Sequence, residues 1–280
     1  MQHMITTPLT QSNNVQYHPY HLVDSSPWPL SVSVSLMNFA IAVVLLFNKV
    51  PLPYNLTTST PLFISLISLS LLMYSWLKDV NSEGAYLGCH TLAVKRGLTT
   101  GFLLFVLTEV MFFVSIFWAF LHVSLSPAIE LGTSWPPLGI DAINPWGLPL
   151  LNTFLLLSSG AFITIAHHCF INKNREVAIL GFTVTVLLSI IFTACQLVEF
   201  STASFTIADS AFATTFYFGT SFHGIHVILG TVMLIVAGLR LKNYYFTAGH
   251  HAGIESAIVY WHIVDVVWLF LFVVVYWWTF

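Results

Sequence analysis

Seven long apolar segments run through this chain, and they restrict its fold more than any other feature. They lie at about residues 28–47, 62–77, 97–124, 150–171, 177–200, 210–240 and 256–279. A helix needs roughly 20 apolar residues to cross a bilayer. Charged residues make up only 7% of the chain, against about 25% in a soluble domain. The sequence therefore predicts an all-α polytopic membrane protein with seven transmembrane helices.

The lysine and arginine residues divide unevenly between the two sides of such a protein. One side would hold the N-terminal segment 1–27 and seven cations, whereas the other would hold only Lys49. The seven are Lys78, Lys95, Arg96, Lys173, Arg175, Arg240 and Lys242. Because positive charge marks the cytoplasmic or matrix side, we expect the N-terminus there and the C-terminus in the opposite compartment. Residues 1–29 contain no Lys or Arg, unlike a transit or signal peptide, so we expect synthesis on the side of insertion.

The loop at about 125–149 is rich in proline and lies on the side opposite the cations. Its prolines are Pro127, Pro136, Pro137, Pro145 and Pro149. Proline fixes the backbone and cannot continue a helix. We expect this segment to form an ordered cap over the outer face of the helices.

Glu109 is the most unusual residue of the spans, because it lies inside the apolar stretch FVLTEVMFFVSIFWAF, residues 105–120. A charge in hydrocarbon is costly, and burial favours the neutral acid. The residues three and four positions away are apolar and cannot pair with it. Two interpretations follow: a group that exchanges protons, or a neutral acid whose hydrogen bond joins two helices.

The depth of Glu109 in the membrane suggests its partner. Glu109 lies thirteen residues beyond Arg96, and His226 lies fourteen residues before Arg240. At ~1.5 Å per residue, both side chains are about 20 Å from the cation-rich side. His226 belongs to GTSFHGIHVILGT, whose glycines would allow close approach of another helix. We therefore predict a hydrogen bond between Glu109 and His226, with Asp265 as a weaker candidate.

Histidine is abundant, but its spacing does not predict a metal site. The candidates are His167-His168, His223-x-x-His226, His250-His251 and His262. Adjacent residues on a helix point about 100° apart and do not chelate one ion. A stable metal site also needs three or four ligands. The three cysteines form no CxxC pair, and no basic run indicates nucleic acid. We predict no metal site and no nucleic-acid partner.

Several long stretches together carry a family resemblance. In order they are YHLVDSSPWP, EGAYLGCHT, TEVMFFVSIFWAFLHVSLSP, SWPPLGI, PLLNTFLLLSSG, AHHCFI, FTIADSAF, GTSFHGIHVILGT and YWHIVDVVWLFLFVVVYWW. The chain from about residue 18 onward resembles cytochrome c oxidase subunit III of the mitochondrial type. The resemblance implies a subunit, without catalytic residues or a cofactor of its own, of the terminal respiratory oxidase that reduces oxygen to water and pumps protons.

The resemblance also implies partners and an arrangement of helices. Oxidase subunits I and II, with haem a, haem a3, a binuclear copper centre and a single copper, would be the catalytic partners, together with small accessory subunits and possible contacts to other respiratory complexes. Helices one and two (28–78) would stand apart from the five-helix bundle (97–280) in a V. The location would be the mitochondrial inner membrane, or a bacterial plasma membrane as the alternative.

Bound phospholipid is a further implication of the resemblance. It places lipid-binding residues at Trp76, Glu83, His90 and Arg240, and it matches Glu109 to the family's buried, carbodiimide-reactive glutamate. With His226, the partner predicted from depth, Glu109 would form a buried, proton-exchangeable pair. The chain departs from many relatives at Ser82 and Thr99, where they carry arginine, and at Leu77, the second position of a tryptophan pair. Two rival functions remain open on the residues alone: a proton-coupled carrier using Glu109, and a di-iron lipid-modifying enzyme built on the histidines.

Overall fold

The fold is built from helices that are long enough to cross a bilayer. The computed structural model describes residues 18–51, 57–129, 132–247 and 249–280. The helices are α1 (Trp28–Phe47), α2 (Thr60–Ala85), α3 (Leu92–Leu125), α4 (Leu148–Ile171), α5 (Arg175–Thr202), α6 (Ala211–Lys242), α7 (Ala252–Leu271) and a π-helix (Phe272–Trp277). Seven helices of these described ranges are long and apolar enough to span a membrane, which confirms the predicted fold class. Residues 1–17 of the predicted segment 1–27 lie outside the described residues.

Helices α2 and α3 extend further than the apolar pattern predicts. The predicted spans were 62–77 and 97–124, whereas α2 continues to Ala85 and α3 begins at Leu92. A helix of 26 residues is about 39 Å long, which exceeds the roughly 30 Å of hydrocarbon in a bilayer. Both helices therefore continue into polar residues beyond the membrane interior, where the apolar pattern of the sequence does not indicate a helix.

Three helices end in the same local conformation. The C-cap of α1, α4 and α6 is an asparagine in each case. The next residues, Lys49, Lys173 and Tyr244, have left-handed φ values of 50°, 63° and 64°. A left-handed residue after the cap reverses the chain and satisfies the last carbonyls. This geometry explains the short connection from α4 to α5.

The chain divides into two compact units, one ending at Leu98 and the other beginning at Thr99. In the first unit, hydrogen bonds between polar groups join α1 and α2. The hydroxyls of Ser35 and Ser68 lie 2.9 Å apart, and Trp28 Nε1 donates to Asp79 Oδ2 at 2.6 Å. Among the described residues of these two helices, only Ser35, Ala42 and Ser65 are buried. Most apolar side chains of α1 and α2 therefore face outward.

The second unit contains most of α3, all of α4 to α7 and the main apolar core. Its largest buried side chains include Trp261 and Trp268 of α7. Each indole donates to a hydroxyl of α4: Trp261 Nε1 to Ser159 Oγ at 2.9 Å, and Trp268 Nε1 to Thr153 Oγ1 at 3.0 Å. These bonds satisfy the buried N–H groups and fix the register of α7 against α4.

Candidate functional site

The pair predicted from depth is in contact in the second unit. Glu109 Oε2 on α3 lies 2.5 Å from His226 Nε2 on α6. The His226 side chain is 11% exposed and that of Glu109 is 26% exposed. The contact joins residues 117 positions apart in sequence, so it links two long helices near mid-span. Asp265, the weaker candidate, instead lies beside His262 of its own helix.

The proton on this pair can be placed from the second ring nitrogen. His226 Nδ1 lies 2.7 Å from the Phe222 carbonyl oxygen. A carbonyl only accepts, so Nδ1 carries a hydrogen and Nε2 of a neutral ring is an acceptor. One further proton must therefore lie between Nε2 and Glu109. The pair is either a neutral acid donating to a neutral ring or a carboxylate facing an imidazolium, and it is uncharged overall in both forms.

Aromatic rings surround the pair. The ring of Phe113 meets the imidazole edge to face at 4.9 Å between centroids, and Phe112 and Tyr260 are stacked against it at 6.3 and 6.4 Å. Such surroundings contain little to solvate a charge, which strengthens the direct hydrogen bond.

The three glycines of the His226 segment have different roles. A Cβ added to Gly230 would lie 2.9 Å from the ring of Trp261, and one added to Gly219 would lie 3.3 Å from Ile116. These two glycines do allow close helix packing. At Gly224 no atom of the described chain lies within 4 Å of an added Cβ. The expectation of close approach is therefore wrong for Gly224, because this position faces away from the neighbouring helices.

A buried carboxyl that no sequence pattern indicated, Glu199, lies near the C-terminal end of α5. Glu199 Oε1 of α5 accepts from Tyr276 Oη at 2.6 Å and from Gln196 Nε2 at 3.1 Å. Gln196 Oε1 in turn accepts from Asn152 of α4 at 3.4 Å. Tyr276 belongs to the π-helix. The only local signal is a glutamate three residues after a glutamine, which is unremarkable near a span end.

Asp265 forms a third polar cluster, between α7 and α4. Its Oδ2 lies 3.7 Å from His262 Nδ1, and His262 Nε2 lies 3.2 Å from the hydroxyl of Thr164. A Cβ on Gly160 would lie 2.5 Å from Asp265 Oδ2, so a larger residue here would force the Asp265 carboxyl to shift. The cluster joins two helices in the way that Glu109 and His226 do.

The two histidines of His223-x-x-His226 have different surroundings. His223 is 1% exposed and packs against Phe192 and Trp268, whereas His226 faces Glu109. Among the described residues, neither ring nitrogen of His223 has a hydrogen-bond partner. A different group, His167, His251 and Glu255, brings three potential ligand atoms within 4.8 Å of one another.

The predicted lipid-binding residues belong to both units. Trp76 and Glu83 lie on α2, and the His90 ring covers Gly84, where an added Cβ would lie 2.5 Å from His90 Nδ1. Arg240 lies in the last turn of α6, and its guanidinium carbon is 4.5 Å from the centre of the Phe246 ring. Their joint role in binding lipid stays a prediction.

The fold and these contacts define a class of protein: a polytopic helical membrane protein whose mid-membrane polar groups bond to one another across helices. The family model described as cytochrome c oxidase subunit III matches residues 18–280. The chain belongs to the cytochrome c oxidase subunit III family.

Individual relatives agree over nearly the whole chain. Cytochrome c oxidase subunit 3 of Neurospora crassa is 53% identical over 269 residues, covering 95% of this chain and 97% of the relative. The proteins of the same name from Mycosarcoma maydis and Drosophila yakuba are each 51% identical, over 263 and 261 residues, and cover 94% and 93% of this chain and 96% and 97% of their own length. These matches confirm the resemblance and support neither rival function.

Proposed function

We propose that this chain is a core subunit of the respiratory oxidase that has no catalytic centre and no redox cofactor of its own. The observation that carries the proposal is that polar groups within the spans form hydrogen bonds to one another between helices. Glu109 bonds to His226, Trp261 to Ser159 and Tyr276 to Glu199. These groups hold helices together, as supporting subunits require. Haem a, haem a3 and the copper centres would belong to partner subunits I and II.

The test is a metal and haem analysis of two preparations. We expect the purified full chain to show no haem absorbance and no stoichiometric copper, whereas a complex captured through a tag on this chain should contain both. Stoichiometric haem on the isolated chain would overturn the proposal. A tag that captures no haem protein would show that the chain works outside the oxidase.

The Glu109–His226 pair serves first as a bond between α3 and α6 in this proposal. Because the pair is uncharged overall, it satisfies two polar groups within the spans at little electrostatic cost. Its one shared proton also makes it exchangeable. Glu109 is therefore the residue of this chain that would support proton uptake by the complex. A hydrophobic carbodiimide should modify the neutral form of its carboxyl.

Phospholipid is the class of ligand proposed for Trp76, Glu83, His90 and Arg240. Guanidinium groups form strong charge-assisted bonds to phosphate, and Arg240 lies at the cation-rich end of α6. Arg240→Ala should lower the phospholipid content of the purified complex and shorten its catalytic lifetime more than its initial rate.

The proposed location is the mitochondrial inner membrane, with the N-terminus in the matrix and the C-terminus in the intermembrane space. Seven cations against one on opposite sides support this orientation. Arg175 contacts the end of α6 that carries Lys242, which brings cations from separate loops to one end of the second unit. Labelling of single cysteines placed at Lys49 and Lys173, from each side of the intact membrane, would test the orientation.

A further inference from the structure

One histidine from each of two doublets meets a glutamate at the cation-rich end of the second unit. His167 lies one turn before the end of α4, His251 is the N-cap of α7, and Glu255 lies in the first turn of α7. A nitrogen of each ring and a carboxylate oxygen lie within 4.8 Å of one another. The spacing within each doublet predicts no metal here, because two histidines 84 positions apart share no local spacing.

The hydrogen-bond partners of His251 leave one of its nitrogens aimed at the carboxylate. Its Nδ1 lies 3.3 Å from the Thr247 carbonyl oxygen, which only accepts, so Nδ1 carries the hydrogen. The lone pair of Nε2 in a neutral ring then faces Glu255 Oε1 at 3.1 Å. Two acceptors at this distance repel unless a proton or a cation lies beside both. Donation of the other nitrogen to a carbonyl is also how ligating histidines are oriented in metal sites.

His167 contributes the third ligand atom. Its Nε2 is buried, and among the described residues it has no hydrogen-bond partner. Its ring centroid is 5.7 Å from that of His251. A buried nitrogen without a partner costs free energy, and a bound cation would remove that cost. Two observations therefore favour a positive ion in this cluster: the facing acceptors of His251 and Glu255, and the buried Nε2 of His167 that has no partner among the described residues.

We propose that His167, His251 and Glu255 bind one divalent transition-metal ion of the Zn²⁺ type. Two imidazoles and a carboxylate are a common ligand set for zinc, with water in the fourth position. Ligand bonds of ~2.0–2.1 Å place tetrahedral ligand atoms about 3.4 Å apart, so side-chain shifts of roughly 1 Å suffice. Glu255 is 49% exposed, which leaves a route from solvent. The bound ion would tie the end of α4 to the start of α7.

Glu255 should contribute most to the affinity. The N-terminus of α7 carries partial positive charge, which opposes a cation. The carboxylate offsets that field, whereas the two rings are neutral. The inference does not rest on the proposed role in the oxidase, because it concerns binding of the ion alone.

The experiment is a Zn²⁺ titration of the full-length, metal-free chain in lipid nanodiscs. Calorimetry measures the binding, and X-ray absorption at the zinc edge identifies the ligands. We expect one saturable site per chain, with two imidazole nitrogens and oxygen ligands at ~2.0–2.1 Å. Zn²⁺ should raise the unfolding temperature of the wild-type chain. Glu255→Gln and His167→Ala should each weaken binding more than tenfold, the lower end of the loss seen even for outer-shell partners.

His168→Ala and His250→Ala are the matched controls, since each removes the other member of a doublet, and both should bind as the wild type does. Glu255→Gln changes a half-exposed side chain and decides the question even if His167→Ala does not fold. Equal affinity in Glu255→Gln and the wild type would overturn the proposal. So would the absence of a saturable site, which would leave the cluster as a His251–Glu255 ion pair only.

Discussion

At the scale of single residues, carboxyl groups within the helices form hydrogen bonds to neutral side chains or share one proton with their partner. Glu109 shares one proton with a ring nitrogen of His226, whose other nitrogen donates to the Phe222 carbonyl. Glu199 meets a phenol and an amide. In each case the protein supplies the partner that the bilayer cannot.

Glu109→Gln should assemble with almost unchanged stability, because the amide N–H can donate to His226 Nε2. Glu109→Leu should lose about 1–3 kcal/mol, since it leaves that nitrogen without a partner. Thermal unfolding of the two variants measures the difference. The Gln variant should also lose carbodiimide labelling and the infrared C=O band of a protonated carboxyl, if the neutral form is the populated one.

Equal losses in Glu109→Gln and Glu109→Leu would contradict the structural role of the pair. Proton pumping in the Gln variant then separates the two interpretations that the sequence leaves open. A small decrease indicates that the hydrogen bond matters, and a large one indicates that the proton moves.

Asp209 gives the loop before α6 an acid-sensitive contact. Its carboxylate accepts from the backbone N–H of Thr206 at 2.6 Å and from the Thr206 hydroxyl at 2.9 Å. Both bonds lower the pKa of Asp209, and the bond from the backbone N–H has the larger effect. Because the pKa is lower in the folded protein, the contact stabilises the fold at every pH above the usual pKa of about 3.9. That stabilisation is lost as the pH falls through the lower pKa of the folded state. The Thr206 amide resonance should therefore move only in acid, and Asp209→Asn should abolish that movement.

The residue contacts were only partly predictable. Depth and helical rise sufficed for Glu109 and His226, because each lies in a long uninterrupted span with a cation near its end. Glu199 gave no comparable signal, since polar residues are ordinary near span ends. The contact of His167 with His251 depends on how α4 meets the start of α7, which no local pattern encodes.

At the scale of helices, small residues set how closely α4 and α5 approach. A Cβ on Gly181 would lie 2.6 Å from Ala166 Cβ and 3.1 Å from the Phe162 carbonyl oxygen. Helix backbones that pack this closely gain dispersion contacts and do not depend on the hydrophobic effect, which is absent between helices in lipid.

Gly181→Ala should therefore destabilise the second unit by about 1–3 kcal/mol, the usual cost of overpacking. The matched control is Gly224→Ala, where no described atom lies within 4 Å of the new methyl group. That variant should be neutral or more stable, because alanine is the better helix former by about 1 kcal/mol. Thermal unfolding in detergent measures both; a similar effect of the two substitutions would contradict the packing described for α4 and α5.

Arg175 closes the C-terminal end of α6. Its Nε and Nη2 donate to the Leu241 carbonyl at 3.1 and 2.7 Å, and its guanidinium carbon lies 3.2 Å from the centre of the Tyr244 ring. Lysine lacks the planar fork that makes both contacts. Arg175→Lys should lower the unfolding temperature, whereas Arg96→Lys should not. An unchanged unfolding temperature in Arg175→Lys would show that only the positive charge at the end of α6 matters, and not the planar guanidinium.

The extent of the helices was predictable where the membrane determines it. Apolar length located all seven spans, and α1 has the predicted bounds. The pattern failed where α2 and α3 continue into polar residues, and it gave no indication of the π-helix at the end of α7. Tyr276 of this π-helix donates a hydrogen bond to Glu199 of α5, a tertiary contact that no local pattern encodes.

At the scale of the whole chain, much apolar surface remains outward-facing in the described residues. It includes Leu36, Met37 and Ile41 of α1 and Phe63 and Ile67 of α2. Lipid chains and neighbouring subunits are the two environments that can cover such a surface in a membrane. A chain of the oxidase subunit III family would use both, which agrees with a supporting role beside the catalytic subunits.

Removal of this chain from the purified oxidase tests the supporting role most directly. The measurement follows haem a, copper, the initial rate of oxygen reduction and the number of turnovers before inactivation, with and without the chain. We predict full haem and copper content, a largely retained initial rate and a shortened catalytic lifetime that addition of the chain restores. Loss of haem or copper in proportion to the chain removed would contradict the account, because a redox centre would then depend on this subunit.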